Sequence, residues 1–132
     1  MRPSGRTALI VEDDLGLSDL CADMLREFDL RIEQVASAEA AIDHLCERSG
    51  DITVLVADVR LSGAMTGVAL AHRVSVLWPS ISLIVTSGAP LDEAETLPER
   101  AVFVQKPWRA LDIVAAADRA ARADHSVHAV LL

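Results

Sequence analysis

The sequence lacks the features of a secreted or membrane-bound protein. Its 132 residues include only two cysteines and no tyrosine, and no apolar run approaches the roughly 20 residues that a membrane-spanning helix needs. The first stretch, Met1 to Arg6, is polar and has no apolar core of signal-peptide length. Cys21 and Cys46 fall within helical patterns and are typical of small hydrophobic residues. These absences predict a cytoplasmic protein without a disulfide framework or a membrane partner.

Basic residues are also scarce. Twelve Lys and Arg stand against twenty Asp and Glu, which gives a formal net charge of −8 at pH 7. Because such a surface repels nucleic-acid phosphates, the charge argues against nucleic acid and favours a protein, a metal ion or a cationic ligand as the partner. The length suits one domain. We expect that domain over residues 1–124, a short tail over residues 125–132, and no separate output domain.

Short apolar runs alternate with helical patterns along the chain. The apolar runs predict five strands, at Thr7–Glu12, Arg31–Ala36, Ile52–Ala57, Ile81–Thr86 and Ala101–Val104. Helical spacing predicts a helix capped by Asp14 and running to Phe28, then helices at Ala38–Arg48, Val68–Trp78, Leu91–Arg100 and Leu111–Ala123. The Leu91–Arg100 helix is short and acidic, and Pro98 ends it. This alternation predicts an α/β fold with a five-stranded parallel sheet, doubly wound with helices on both faces.

Polar residues follow four of the predicted strands. They are Glu12 and Asp13 at the end of the first, Asp58 after the third, Thr86 at the end of the fourth and Lys106 after the fifth. The carboxyl ends of parallel strands meet at one edge of the sheet, and in the flavodoxin-like order 2-1-3-4-5 the first and third strands are neighbours. Three carboxylates that lie so near one another repel, unless their pKa values rise or they hold a cation. Oxygen ligands at an open rim favour Mg2+.

Each of these residues alone has an ordinary structural explanation. Acids cap helices, threonine favours strands, and a lysine before proline can simply end a strand. Together they are more specific, because the hydroxyl of Thr86 and the ammonium of Lys106 are the donors that a phosphoryl group on a metal-bound carboxylate would need.

Four motifs resemble the receiver domains of two-component response regulators, which have the CheY-like fold. The motifs are LIVEDD, LVADVRLSG, IVTSGA and FVQKPW, and the resemblance covers about Thr7 to Ala123. It implies that Asp58 is the phosphoacceptor, that Asp13 is a direct Mg2+ ligand and that Glu12 belongs to the same acidic pocket. It also implies that the backbone carbonyl of Arg60 is a further metal ligand.

The resemblance further implies how such a site works. Thr86 would be the switch hydroxyl, Lys106 the cation that contacts the phosphoryl group, and Phe103 the aromatic switch residue. The implied reaction is Mg2+-dependent transfer of a phosphoryl group to Asp58 from a histidine of a sensor histidine kinase or a phosphotransfer protein. The implied output is a contact with a downstream protein through the fourth helix, fifth strand and fifth helix.

The sequence departs from the receiver pattern after Asp58. Ser62 takes the place of a common proline, and Gly67 follows the aspartate by nine positions rather than eight. We expect the added residue to alter the loop Ser62–Thr66 without moving Asp58. The side chain of Arg60 could lean over the phosphoryl group, and our hypothesis is that it changes the lifetime of the phosphorylated state. The alternative is a solvated arginine with no role.

The sequence disfavours two other functions. A haloacid-dehalogenase-like phosphatase would have a second aspartate at the position of Arg60, and a nucleotide-binding relative would have a phosphate loop where the acids at 12–14 repel phosphate. The stronger alternative is a receiver-fold interaction module that works independently of phosphorylation. Alanines in the last helix either permit a homodimer or simply favour the helix.

Overall fold

Five parallel strands form the centre of the computed structural model, which describes residues 6–92, 95–107, 112, 115–116 and 119. The strands are β1 (Thr7–Val11), β2 (Arg31–Val35), β3 (Ile52–Asp58), β4 (Ser82–Ser87) and β5 (Val102–Gln105). They lie in the order β2-β1-β3-β4-β5, and every neighbouring pair is parallel. The predicted fold class and strand order are confirmed, and each strand begins and ends within one residue of its prediction.

Three helices follow the first three strands. They are α1 (Leu15–Leu25), α2 (Ala38–Arg48) and α3 (Gly67–Leu77). Each begins after a residue whose side chain accepts a hydrogen bond from a free backbone N–H of the first turn: Asp14 at 3.0 Å, Ser37 at 3.1 Å and Thr66 at 3.1 Å. The predicted cap at Asp14 is therefore confirmed. Short 3-10 turns continue the chain after α1 and α2, at Arg26–Phe28 and Ser49–Asp51.

The last predicted helix, Leu111–Ala123, is described at only four positions. Residues 112, 115, 116 and 119 are helical. The other positions of that prediction, and the predicted tail over residues 125–132, lie outside the described residues. In the described part of the chain, no helix has the length and the apolar character to cross a membrane.

The helix predicted over Leu91–Arg100 is wrong for the part of that stretch that the structure describes, which forms a loop and a turn. The Glu95 N–H donates to the Asp92 carbonyl at 2.9 Å, and the Asp92 N–H donates to the Glu95 carboxylate at 3.0 Å. These reciprocal bonds are typical of a helix start. Pro98 has no N–H and disfavours helical backbone at the preceding residue, so the turn is not extended. The expected output surface therefore lacks its fourth helix in this described part.

The core covers both faces of the sheet. All five residues of β1 are buried; Ala8 and Ile10 pack on the side of α1, while Leu9 and Val11 pack on the side of α2 and α3. Because β1 and β3 lie at the centre of the sheet with both faces covered, the residues at their carboxyl ends are held on a rigid support.

Candidate functional site

The strand register brings the predicted site residues to one edge of the sheet. Glu12 follows β1 directly, and its N–H continues the strand pairing by donating to the Val35 carbonyl at 3.1 Å. Asp58 is the last residue of β3 and lies opposite Thr86 of β4. The side chains of Glu12, Asp58 and Thr86 are all buried. The convergence of these strand ends, expected from the sequence, is therefore found.

Lys106 lies between two of these acids. It is the only lysine in the chain, and its Nζ donates to Oε1 of Glu12 at 2.6 Å and to Oδ2 of Asp58 at 2.9 Å. The side chains of Lys106, Glu12 and Asp58 are 12%, 3% and 8% exposed. An ion pair with this little exposure is screened far less than a surface pair. The ammonium therefore holds two carboxylates that would otherwise repel each other.

The backbone of the fourth strand positions this lysine. The Lys106 N–H donates to the Ser87 carbonyl at 2.8 Å, and the peptide bond from Lys106 to Pro107 is cis. Ser87 is fully buried, and its hydroxyl accepts from the Ala89 N–H at 3.2 Å. Sequence reasoning missed Ser87, since a serine that acts through its backbone carbonyl leaves no signal in the side-chain pattern.

Burial and hydrogen bonds shift the pKa values of two residues in this cluster. Removal from water raises the pKa of the Glu12 carboxyl above its usual 4.5, and the nearby Asp58 raises it further, whereas the hydrogen bond from Lys106 opposes both effects. Burial alone would lower the pKa of Lys106, but the hydrogen bonds to Glu12 and Asp58 outweigh it and leave that pKa above 10.5. Lys106 is therefore charged at neutral pH.

A third acid, Asp13, lies at the solvent-exposed side of the cluster. Glu12, Asp13 and Asp58 each offer a carboxylate oxygen, and these three oxygens lie within 4.8 Å of one another. Asp13 is exposed, whereas the other two acids are buried. An oxygen-only set with one open side fits Mg2+, which binds one or two protein carboxylates and keeps several waters. The single ammonium of Lys106 cannot neutralise three carboxylates, so negative charge remains for a cation to neutralise.

Arg60 and Phe103 lie outside this cluster. The Arg60 backbone N–H donates to Oδ1 of Asp58 at 3.1 Å, but the Arg60 guanidinium binds the carboxylate of Glu95 at 3.2 and 3.3 Å. Phe103 is half-buried on β5 opposite Val85, beside an open groove that Asp112 and Arg119 also line. In the unmodified protein the guanidinium is therefore held on Glu95 and not over Asp58.

Two contacts hold the second half of the loop with the added residue. A Cβ at position 67 would lie 1.9 Å from the Asp58 carbonyl oxygen, so α3 begins in direct contact with the backbone of the candidate site. Just before α3, the Met65 N–H donates to Oε2 of Glu39 in α2 at 2.9 Å. Sequence reasoning missed Glu39, because an acid in the first turn of a helix is usually explained by the helix dipole.

Comparison with known proteins identifies this arrangement. The family model of the response regulator receiver domain matches residues 8–118. A response regulator receiver protein from Sinorhizobium medicae shares 20% identity, with a TM-score of 0.81 over 92% of this chain and 98% of that chain. A CheY-like receiver domain protein from Methanospirillum hungatei shares 19%, with a TM-score of 0.76 over 92% and 98% of the two chains.

A third similar structure is the signal receiver domain of an HD domain-containing protein from Pseudomonas fluorescens. It shares 20% identity, with a TM-score of 0.77 over 92% of this chain and 98% of that chain. Comparison with curated proteins by sequence gives no match.

Proposed function

This chain belongs to the response regulator receiver domain family, and we propose that it accepts a phosphoryl group on the carboxylate of Asp58 from a phosphohistidine of a partner protein. The observation that carries the proposal is the contact of Asp58 with Lys106 beside two further acids at one edge of the sheet. Phosphoryl transfer requires little covalent chemistry from the protein, and its catalysis comes from positioning and charge neutralisation. The strand ends supply the positioning, and Lys106 supplies positive charge.

Each residue of the cluster has a role in this proposal. One oxygen of Asp58 attacks phosphorus, the bond from phosphorus to the histidine nitrogen breaks, and the phosphoryl group remains on the carboxylate. Glu12, Asp13, Asp58 and the backbone carbonyl of Arg60 would hold Mg2+, which supplies neutralisation of the phosphoryl oxygens when bound. Lys106 provides a second positive charge, because it already contacts Asp58 at 2.9 Å.

Thr86 and Phe103 would transmit the change. Thr86 is adjacent to Asp58 on the next strand and is 1% exposed, so its hydroxyl could donate to a phosphoryl oxygen. Phe103 has no hydroxyl, so any movement of its ring acts through packing alone. Phosphorylation would shift the balance between two conformations rather than build a new one.

The partners follow from the same chemistry. The donor would be a sensor histidine kinase or a histidine phosphotransfer protein in the cytoplasm, where such kinases present their phosphohistidine. The output would be a protein contact through β5 and the last helix, which line the groove beside Phe103. A homodimer through the last helix remains a prediction, as does the receiver domain over residues 1–124.

We expect phosphoramidate to add one phosphoryl group to the native chain in the presence of Mg2+, and to add none to Asp58→Asn. The substitution keeps the shape of the side chain but removes the nucleophilic charge. The measurement is intact mass followed by peptide mapping. Asp51→Asn is a matched control, because Asp51 is exposed just before β3, at the end of the strand away from Asp58, and this variant should be modified like the native chain.

Absence of an adduct on the native chain, while a known receiver is modified in parallel, would contradict the proposed function. It would favour the second candidate, a receiver-fold interaction module that works independently of phosphorylation. An adduct that persists in Asp58→Asn would place the acceptor on another residue.

We expect Asp13→Asn to weaken Mg2+ binding by about tenfold or more, because a direct carboxylate ligand loses its charge. Isothermal titration with Mg2+ measures this at neutral pH. Asp14→Asn is the matched control: Asp14 is also exposed and acidic, and asparagine preserves the N-cap of α1. Affinity in the native chain should also fall as the pH is lowered through the raised pKa of Glu12, since a protonated carboxyl binds Mg2+ poorly. Equal Mg2+ affinities in Asp13→Asn and Asp14→Asn would contradict this ligand set.

A further inference from the structure

Arg60 contacts two parts of the protein at once. Its backbone N–H donates to Oδ1 of Asp58 at 3.1 Å. Its guanidinium forms two parallel bonds with Glu95, from Nη1 to Oε2 at 3.2 Å and from Nη2 to Oε1 at 3.3 Å. This is the two-pronged geometry in which arginine binds carboxylates most specifically. A single residue therefore joins the candidate phosphoacceptor to the chain between β4 and β5.

Glu95 fixes the other end of this connection. Its Oε1 also accepts from the Asp92 N–H at 3.0 Å, and its own N–H donates to the Asp92 carbonyl at 2.9 Å. The Glu95 side chain is 19% exposed, compared with 53% for Arg60. The better-anchored carboxylate thus determines where the more exposed guanidinium lies.

The Arg60 side chain also starts close to Asp58. The Arg60 backbone contacts the Asp58 carboxylate, whereas the residue between them, Val59, is buried with Ala71 and Val85. Arg60 therefore stands at the solvent side of the site on a long side chain that can turn toward Asp58 or toward Glu95.

We propose that Glu95 is a positioning residue for Arg60, and that a phosphoryl group on Asp58 takes the guanidinium away from Glu95. The inference rests on the proposed function, because it requires a phosphorylated Asp58. A phosphoryl group carries about −2 charge and three acceptor oxygens, whereas Glu95 offers one carboxylate in a partly exposed pair, which is weak. The competition therefore favours the phosphoryl group, and the turn formed by Asp92 and Glu95 loses its contact with Arg60.

Other contacts confine the change to that turn. The His72 ring contacts the Thr96 carbonyl, and Leu91 and Leu97 pack against the buried cluster that contains Val59. These contacts do not involve Arg60. Phosphorylation would therefore alter the exposed surface around Asp92 and Glu95 while the apolar residues on either side stay in place, giving a local signal that a partner protein can read.

The first test follows loss of the phosphoryl group after phosphoramidate is removed, by intact mass over time. Once it lies on the phosphoryl group, the guanidinium screens the charge and obstructs the attacking water, so Arg60→Gln should speed dephosphorylation about threefold, the rate equivalent of a weak surface ion pair. Glu95→Gln removes only the competing carboxylate and should not speed it. In an Arg60→Gln background the same substitution should have no effect. Glu99→Gln is the matched control, since Glu99 is an exposed acid of the same segment, and its rate should equal that of the native chain.

The second test is independent of kinetics. The backbone amide signal of Asp92 in a nitrogen–proton NMR spectrum should shift when the native chain or Glu99→Gln is phosphorylated, and should stay in place in phosphorylated Arg60→Gln. An adduct whose lifetime is the same in Arg60→Gln and the native chain, or an amide shift that persists in Arg60→Gln, would overturn the inference while leaving the proposed function intact. No adduct at all would refute both.

Discussion

Replacing Gly67 with alanine is expected to destabilise the fold by about 3 kcal/mol or more, the upper range for an overpacked position. A Cβ there would lie 1.9 Å from the Asp58 carbonyl oxygen, 2.6 Å from its carbonyl carbon and 2.8 Å from the Val59 Cα. All three atoms belong to the backbone, so no side-chain rotation can relieve the clash. The start of α3 must move away from β3, and the Gly67 N–H then loses its bond to the Val59 carbonyl at 3.0 Å.

Urea unfolding of Gly67→Ala measures this cost, and the rate of adduct formation on Asp58 measures its effect on the site. Gly16→Ala is a matched control, because Gly16 also lies in the first turn of a helix that follows a strand. A Cβ at position 16 meets only the Asp14 carboxylate, at 3.4 Å. That variant should be neutral or more stable by up to about 1 kcal/mol, the usual preference of a helix for alanine. Comparable stabilities of the two variants would contradict the close approach of α3 to Asp58.

Gly67 illustrates how much of this site the sequence reveals. Its position nine residues after Asp58 marks it as a displaced family glycine and places the added residue in the loop before it. The structure adds that Gly63 in this loop has a positive φ of 104°. Positive φ favours glycine, because other residues are strained there. Gly63 therefore allows the loop to turn, and Gly67 then lies against the Asp58 backbone.

Local signals account for the parts of the fold that could be predicted. Apolar runs set the strands within one residue, and Asp14 marks the start of α1, because a capping side chain and its backbone partner are three residues apart. Ser37 and Thr66 have the same spacing, although they were not predicted as caps. The cluster of Glu12, Asp58 and Lys106 was also predictable, since the end of a parallel strand determines the edge at which a residue lies.

Contacts between distant side chains account for what could not be predicted. The carboxylate of Glu95 is engaged by Arg60, 35 positions earlier in the chain, and that of Glu39 by the Met65 N–H, 26 positions later. Neither pairing leaves a periodic pattern. The helical spacing after Leu91 was misleading for the same reason, because packing of Leu91 and Leu97 on the Val59 cluster stabilises a loop as well as a helix.

Lys106→Met is expected to destabilise the protein by about 3 kcal/mol at neutral pH without Mg2+, because removing one partner of a buried ion pair leaves the other charges uncompensated. Glu12 and Asp58 would face each other with side chains 3% and 8% exposed. Urea unfolding measures the loss. Arg26→Met is the matched control: Arg26 pairs with Asp23 on the surface, with side chains 56% and 73% exposed, and such a pair contributes little.

The pH dependence of that loss identifies its cause. The pKa of Glu12 is already raised by burial, and Lys106→Met removes the hydrogen bond that opposes this effect, so the pKa should rise further. A raised folded-state pKa means that the folded protein binds the proton more tightly than the unfolded chain. Its stabilising contribution is complete below the unfolded value of 4.5 and disappears as the pH rises through the folded value. The deficit of Lys106→Met should therefore shrink as the pH is lowered from 7 toward 5.

A second substitution separates charge repulsion from lost packing. In Lys106→Met with Glu12→Gln, the amide requires no cation, so much of the stability should return at pH 7 and the pH dependence should weaken. If the deficit came from the lysine's packing, the double variant would be as unstable as the single one at every pH. Mg2+ should also restore more stability to Lys106→Met than to the double variant, because Glu12→Gln removes one of the three carboxylates whose charge the ion offsets. A lysine that Mg2+ can replace in this way would act in the unmodified protein as the internal cation that keeps the acidic cluster folded.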